Sequence, residues 1–186
     1  VLTEIAAGSP GALFFPIFQP AGDFVADQAP GVSGLEGVVL LGADGLQVQT
    51  FMELPQADGM YLSGPDLRYG VNTNQSTGAT AEQFLADYES NNGNAPEAPF
   101  WAHSYDATTI LLEAIKAASH ADDGNLEIDR AGVREYLDGL SGYEGIIGTL
   151  SCDDFGDCGA QRITVVQNSS ADFAASIENV VFSFAP

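Results

Sequence analysis

Basic side chains are scarce in this sequence: one lysine, Lys116, and four arginines stand against 26 acidic residues, for a net charge of −21 over 186 residues. Binding to nucleic acid or to an anionic membrane surface relies on clustered Lys and Arg, so charge excludes both partner classes. Long apolar runs are missing as well. No stretch of about 18 apolar residues occurs, and the N-terminus lacks the basic-then-apolar pattern of a signal peptide. Catalytic signatures are also lacking: there is no Gly-x-Ser-x-Gly elbow, no phosphate loop and no His-Glu-x-x-His. His103, Ser104 and Asp106 are close in sequence, but near-successive positions on a helix point in different directions and do not make a triad. Neither an enzyme nor a cofactor is expected.

What is present is enough apolar content to fold. The hydrophobic fraction of 45% sets the chain apart from disordered acidic segments, which combine high charge with few apolar residues. Val1-Leu2-Thr3-Glu4-Ile5-Ala6-Ala7 reads as the last turns of a helix whose beginning is absent, so the chain is expected to be a fragment of a longer one.

The two cysteines, Cys152 and Cys158, flank a turn-rich stretch and can close a small disulfide loop, which implies an oxidising compartment. The alternative, a pair of metal ligands, needs two further ligands and finds only His103 and His120. Asp153, Asp154 and Asp157 in the same loop do not match the spacing of a twelve-residue calcium loop, and with Gly156 they read as turn chemistry.

Along the chain, Ala12 to Phe18, Val38 to Leu41 and Gly59 to Ser63 are short apolar runs separated by helix-length segments (22–30 and 47–56). That pattern predicts an α/β layer with a parallel sheet flanked by helices. The segment 65–79 turns to Gly, Asn, Thr and Ser, as linkers do. Three helices follow. One starts at the capping-box spacing Thr80-Ala81-Glu82-Gln83 with Phe84, Leu85 and Tyr88 on one face, one runs from His103 to Ser119, and one is capped by Asp129. After Tyr143, the segments 145–150 and 163–167 read as two strands joined by the cysteine turn, with a last strand at 179–184.

Asp44 lies in Gly42-Ala43-Asp44-Gly45, directly after the second apolar run, and Phe18 ends the first. In open α/β sheets ligands bind beyond the carboxyl ends of strands, so an acid and an aromatic there suit an ammonium group. The carboxylate offers a charge-assisted hydrogen bond of about 1.5–3 kcal/mol, and the ring a cation–π contribution of about 0.5–2 kcal/mol. The competing reading makes Asp44 a turn residue before Gly45 and Phe18 the end of a core strand. Trp101, Ala102 and His103 form a third cluster at the start of the long helix, with a structural role as the alternative.

Taken in order, Ala12 to Pro20, Leu41-Gly42-Ala43-Asp44-Gly45, Asp58-Gly59-Met60-Tyr61, Pro99 to Ala107 and Tyr143-Glu144-Gly145-Ile146-Ile147-Gly148 resemble the type 1 periplasmic-binding-protein family. The likeness is to its leucine/isoleucine/valine-binding branch, the solute receptors of branched-chain amino acid ABC transporters, and covers the C-terminal half of a member. The resemblance implies a two-lobed clamshell of which this chain is part. It assigns 1–66 to the latter part of lobe 2, 67–146 to a helical return to lobe 1, and 147–186 to a β-rich return to lobe 2. It further implies that Asp44 pairs with a ligand ammonium, Phe18 contacts the ligand, and Trp101, Ala102 and His103 line its side-chain pocket. Asp44 stands where the best-known members have Glu, and Phe18 where they have Tyr, so the solute need not be a branched-chain amino acid. The groups that hold the ligand carboxylate in the family fall in the half not present here. Implied partners are an amino acid or related small solute, a transporter permease and the missing N-terminal half. The implied location is extracytoplasmic, periplasmic or on the cell surface, with lipid anchoring as one form of the latter and a signal peptide in the precursor. A ligand-sensing ectodomain or regulator with the same fold is the alternative.

Overall fold

The apolar runs become short strands because β-branched and aromatic residues favour a pleated, buried surface. In the structure, a computed structural model that describes residues 1–160, 162–169 and 172–185, the chain begins with helix α1 (Leu2–Ala6) and strand β1 (Ala12–Phe15). Positions 161, 170, 171 and 186, all in the segment 147–186, lie outside the described residues. Helix α2 (Ala21–Gln28) leads to β2 (Val39–Gly42), and a short helix α3 (Gln49–Met52) leads to β3 (Tyr61–Pro65). The expected helix over 47–56 is thus broken into pieces: a 3-10 turn at Asp44–Leu46, the single turn of α3, and a second 3-10 turn at Pro55–Ala57. Val48 is extended and Pro55 has no N–H to continue a helix, which accounts for both breaks.

Helix α4 (Ala81–Asn92) and helix α5 (Trp101–Ala117) come next, then a hairpin of β4 (Ser119–Asp122) and β5 (Asn125–Ile128), and helix α6 (Arg130–Asp138). The Thr80 capping box forms in full, and the Asp129 carboxylate accepts from the Ala131 N–H, as their positions predict. Strands β6 (Tyr143–Gly145), β7 (Gly148–Cys152) and β8 (Cys158–Gly159) make a small antiparallel sheet, in which Cys152 and Cys158 face each other and are disulfide-bonded. In the loop they close, Asp153 accepts from the N–H groups of Phe155 and Asp157, which is turn chemistry. The chain ends with β9 (Ile163–Gln167), helix α7 (Phe173–Glu178) and β10 (Val180–Phe184). The segments 145–150 and 163–167 therefore do not pair with each other. Gly148, at φ 122°, folds β7 back on β6, while β9 joins a different sheet.

That sheet has the order β1-β2-β3-β9-β10. Its first three strands are parallel, β9 runs antiparallel to β3, and β10 antiparallel to β9. Helices cover it over a core of Phe15, Leu46, Phe51, Met52, Leu62 and Val166, and a smaller core holds Ala6, Ala29 and Leu35. Each large side chain of this kind contributes about 1.5–3 kcal/mol on burial. No helix among the described residues is long and apolar enough to cross a membrane.

Two compact units share the chain. The first comprises 1–68, 97–99 and 162–186; the second comprises 69–96 and 100–161. The expected third segment, 147–186, is consequently divided: β7 and β8 stay with the second unit because they pair with β6, and β9 to β10 belong to the first. In the first unit, Asp66 lies at the point of departure and Arg162 at the point of return. The Asp66 carboxylate, only 5% exposed, bonds Arg68 Nε at 2.8 Å and Arg162 at 3.0 Å.

The second unit has a polar centre. The stretch 72–77, expected as linker, wraps the fully buried Asn74, whose side chain donates to Asp106 Oδ1 at 2.9 Å and Thr109 Oγ1 at 2.8 Å and accepts from the N–H groups of Ser76 and Thr77. Asp106 also accepts from the N–H groups of Ile146 and Ile147, at 3.0 and 2.9 Å. Tyr143 OH joins Thr109, Ser76 and Asn74. Asp106 is therefore a buried structural acid.

Two outcomes follow. Asp106→Ala orphans two backbone N–H groups and removes one of the two acceptors of the Asn74 amide, and is expected to destabilise the protein by about 3–5 kcal/mol in urea unfolding. Burial alone would raise the Asp66 pKa, but hydrogen bonds from Arg68 and the charges of Arg68 and Arg162 outweigh it and hold the group below its ordinary value. A depressed carboxylate stabilises the fold above its unfolded pKa, about 3.9, and that stability is lost as pH falls through the folded value. The stability gap between the protein and Asp66→Asn should accordingly be constant from pH 5 to 7 and close below pH 4, read by thermal melts across pH.

Candidate functional site

Parallel pairing puts the carboxyl ends of β1, β2 and β3 on one edge of the sheet, and the residues just beyond them form the candidate site in the first unit. Phe18 follows β1 and is 71% exposed, a large exposure for a phenylalanine. Its ring lies against the backbone at Gly45, where an added Cβ would come within 2.6 Å of it. Asp44, the residue before, opens the 3-10 turn after β2 and is half-buried. Among the described residues its carboxylate makes no hydrogen bond or ion pair with another side chain. Phe18 and Asp44–Gly45 are therefore brought together, and the acid is left uncompensated.

Two further residues of this edge escaped sequence reasoning. Gln47 is 1% exposed, and both its carboxamide atoms are buried without a hydrogen-bond partner. Its oxygen packs on Gly64, near the end of β3, so closely that a Cβ there would collide with it, while the same Cβ would touch the Cβ of Asp44 at 3.5 Å. A glycine inside a strand is itself a signal of close approach by a neighbour. For Gln47 no sequence signal exists, since a glutamine beside a turn ordinarily faces water. Behind Phe18, Gln19 bridges Asp23 and Thr50, which fixes the loop that carries the ring.

In the second unit, the segment 100–106 forms an aromatic cluster. Trp101 stacks on Phe84 at 5.1 Å with nearly parallel rings and meets Tyr69 edge-on at 5.2 Å, and Phe84 also touches Tyr105. Such pairs contribute about 0.5–1.5 kcal/mol beyond area burial. Ala102 has no exposed surface, and His103 packs against Phe100 at 5.3 Å. Burial lowers the His103 pKa, opposed by the nearby charge of Asp106, and its Nδ1 is buried with no partner, so the neutral ring is favoured. No group of three His, Cys, Asp or Glu among the described residues is arranged to hold a metal ion.

No family model matches the sequence, and no curated protein does either. Solved structures do match. A leucine-binding protein from Thermotoga maritima aligns over all of this chain and 47% of its own, at 21% identity and a TM-score of 0.70. The chain has the type 1 periplasmic-binding-protein fold. A solute-binding protein of an ABC transporter from Rhodopseudomonas palustris, solved with p-hydroxybenzoic acid, aligns over 98% of this chain and 47% of its own at 15% identity, with a TM-score of 0.63. A type 1 periplasmic binding protein from Bordetella pertussis aligns over 90% and 46% at 16% identity, with a TM-score of 0.61. The chain thus spans about half the length of the structures it matches. Within this periplasmic-binding-protein fold, the Asp44 edge is the carboxyl end of the parallel strands.

The tight approach of Gln47 to Gly64 gives a direct test. Gly64→Ala must displace a buried carboxamide and is expected to cost about 1–3 kcal/mol. Thermal denaturation checks this, with the open position Gly59→Ala unsuitable as a control because of its positive φ of 74° and Gly37→Ala, in free space, suitable.

Proposed function

We propose that this chain is part of the extracytoplasmic solute-binding component of an ABC transporter, and that the solute is an amino acid or a related small molecule bearing an ammonium group. One observation carries the reading. At the carboxyl edge of a parallel sheet, where ligands are met in such folds, a half-buried acid without a partner stands beside an exposed aromatic ring. Asp44 is assigned the ammonium and Phe18 the cation–π and apolar contact. The assignment of Trp101, Ala102 and His103 to the solute's side-chain pocket comes from the family resemblance of the segment Pro99 to Ala107. The complementary N-terminal half of the protein, a permease partner, and delivery outside the cytoplasmic membrane belong to the same proposal.

Excluding water strengthens the proposed contact, because a charge pair gains as the local dielectric falls. The shorter Asp in place of Glu draws the ammonium closer to the sheet edge, and Phe in place of Tyr withdraws a hydroxyl. Both changes favour a compact aliphatic solute over one with a polar group near the ring.

Isothermal calorimetry of the complete gene product against the aliphatic amino acids tests the assignment. Asp44→Ala should weaken the best ligand at least tenfold, equivalent to about 1.4 kcal/mol. Unchanged affinity rejects the role of Asp44, and no heat with any amino acid rejects the solute class.

A further inference from the structure

Among the buried polar side chains of the first unit, Gln47 is the one whose surroundings do not explain it. Its backbone N–H closes the 3-10 turn that Asp44 opens, bonding the Asp44 carbonyl at 3.0 Å, so acid and carboxamide are carried by one tight turn. The side chain is 1% exposed, and neither its oxygen nor its nitrogen has a hydrogen-bond partner. Buried carboxamides are ordinarily paired, because an unpaired one loses its hydration without replacement. Asn74 and Asn168 follow that rule, each donating through its amide nitrogen to two acceptors. Gln47 departs from it beside the acid assigned to the solute. A single Cβ built on Gly64 would clash with Gln47 Oε1 and lie 3.5 Å from the Asp44 Cβ, so both side chains border the same face of β3 near its carboxyl end.

We propose that Gln47 is a specificity-determining residue of the solute site, whose Oε1 accepts a hydrogen bond from the solute's ammonium and selects a primary ammonium over a quaternary one. The assignment rests on the solute-receptor reading of Asp44 and Phe18. An acid beside an aromatic ring does not make that choice alone, since carboxylate and ring meet the charge in either case and aromatic faces suit quaternary ammonium groups well. What separates the two cations is N–H: a primary ammonium carries three donors and a quaternary one none. A neutral acceptor next to the carboxylate therefore favours only the first. An ammonium nitrogen about 2.8–3.0 Å from each of two oxygens spans acceptors roughly 4.5–5 Å apart. Two side chains that share the face at Gly64 suit that separation. With no hydrogen bond to break, the Gln47 torsions alone turn Oε1 toward Asp44, and Gly64 puts no side chain in the way. The oxygen has no hydration to shed on meeting the donor.

Calorimetry of the complete gene product with glycine, L-alanine, L-valine and L-leucine, each beside its N,N,N-trimethyl derivative, tests the assignment. The primary forms should bind at least tenfold more tightly. Gln47→Met keeps the shape and removes the acceptor. It should weaken the primary form of the best ligand at least tenfold and leave the trimethyl form unchanged, with no fall in melting temperature. Gln47→Glu, which keeps an oxygen in place, should retain the preference for the primary form, whereas Asp44→Ala should weaken both forms alike because each carries the charge. Equal weakening of the two forms in Gln47→Met, or a loss of folding in that variant, makes the residue structural and overturns the proposal. An unchanged ratio in Gln47→Met, or a trimethyl form that binds the unaltered protein as tightly as the primary one, overturns it too and leaves the solute reading standing. No heat from any of these compounds rejects the solute reading itself, and the Gln47 assignment with it.

Discussion

A buried carboxylate without an ion pair must be held by hydrogen bonds, and the second unit is organised around that requirement at Asp106. Its two oxygens accept from Asn74 and from the N–H groups of Ile146 and Ile147, which ties three segments distant in sequence to one atom group. Gly145 follows from it: a Cβ there would lie 2.5 Å from Asp106 Oδ2 and 2.6 Å from Leu150. So does the order of 72–77, since Asn74 reaches Asp106 only while its own oxygen gathers the Ser76 and Thr77 N–H groups. Buried polar networks of this kind are tolerated only when nearly every member is satisfied. The Asn74, Thr109 and Tyr143 side chains meet that condition together, and no one of them does so alone.

The first unit obeys a different constraint, close approach at the ends of parallel strands. Gly42, Gly45 and Gly64 lie where Leu62, the Phe18 ring and the Gln47 carboxamide press against the backbone. Larger residues at these places would push the strand ends apart and bury or displace Phe18 and Asp44. The site is thus positioned by side chains that are missing as much as by those present.

Much of this was legible in the sequence, and what was not has identifiable causes. Buried parallel strands announce themselves as short apolar runs, so β1, β2 and β3 were readable, as were the Thr80 and Asp129 caps, whose signals are local. The β4–β5 hairpin was not foreseen although Asp123-Gly124, both at positive φ, is a strong turn signal; the short, polar strands around it have little apolar alternation. The partners of β7 and β9 depend on tertiary pairing, which periodicity does not encode. Phe18 and Asp44 could be placed by the strand-end rule. Asn74 could not, because a Gly, Asn and Ser-rich stretch reads as linker whether or not one of its amides is buried.

The scarcity of basic residues finally bears on which acid is available for chemistry. Of the four arginines, Arg68 and Arg162 both bind the buried Asp66. Two cations on one carboxylate is a costly allocation in a chain with 26 acids, and it leaves the other acids to be solvated, hydrogen-bonded or left bare. Most are solvated, and Asp106 is hydrogen-bonded. Asp44 is half-buried, and among the described residues its carboxylate makes no hydrogen bond or ion pair with another side chain. A carboxylate in that condition gains more from an incoming ammonium than a solvated one does, because part of its hydration has already been removed and the fold offers no competing counter-charge. Under the proposed assignment, the same charge imbalance that opposes polyanions leaves Asp44 free to meet a cationic group.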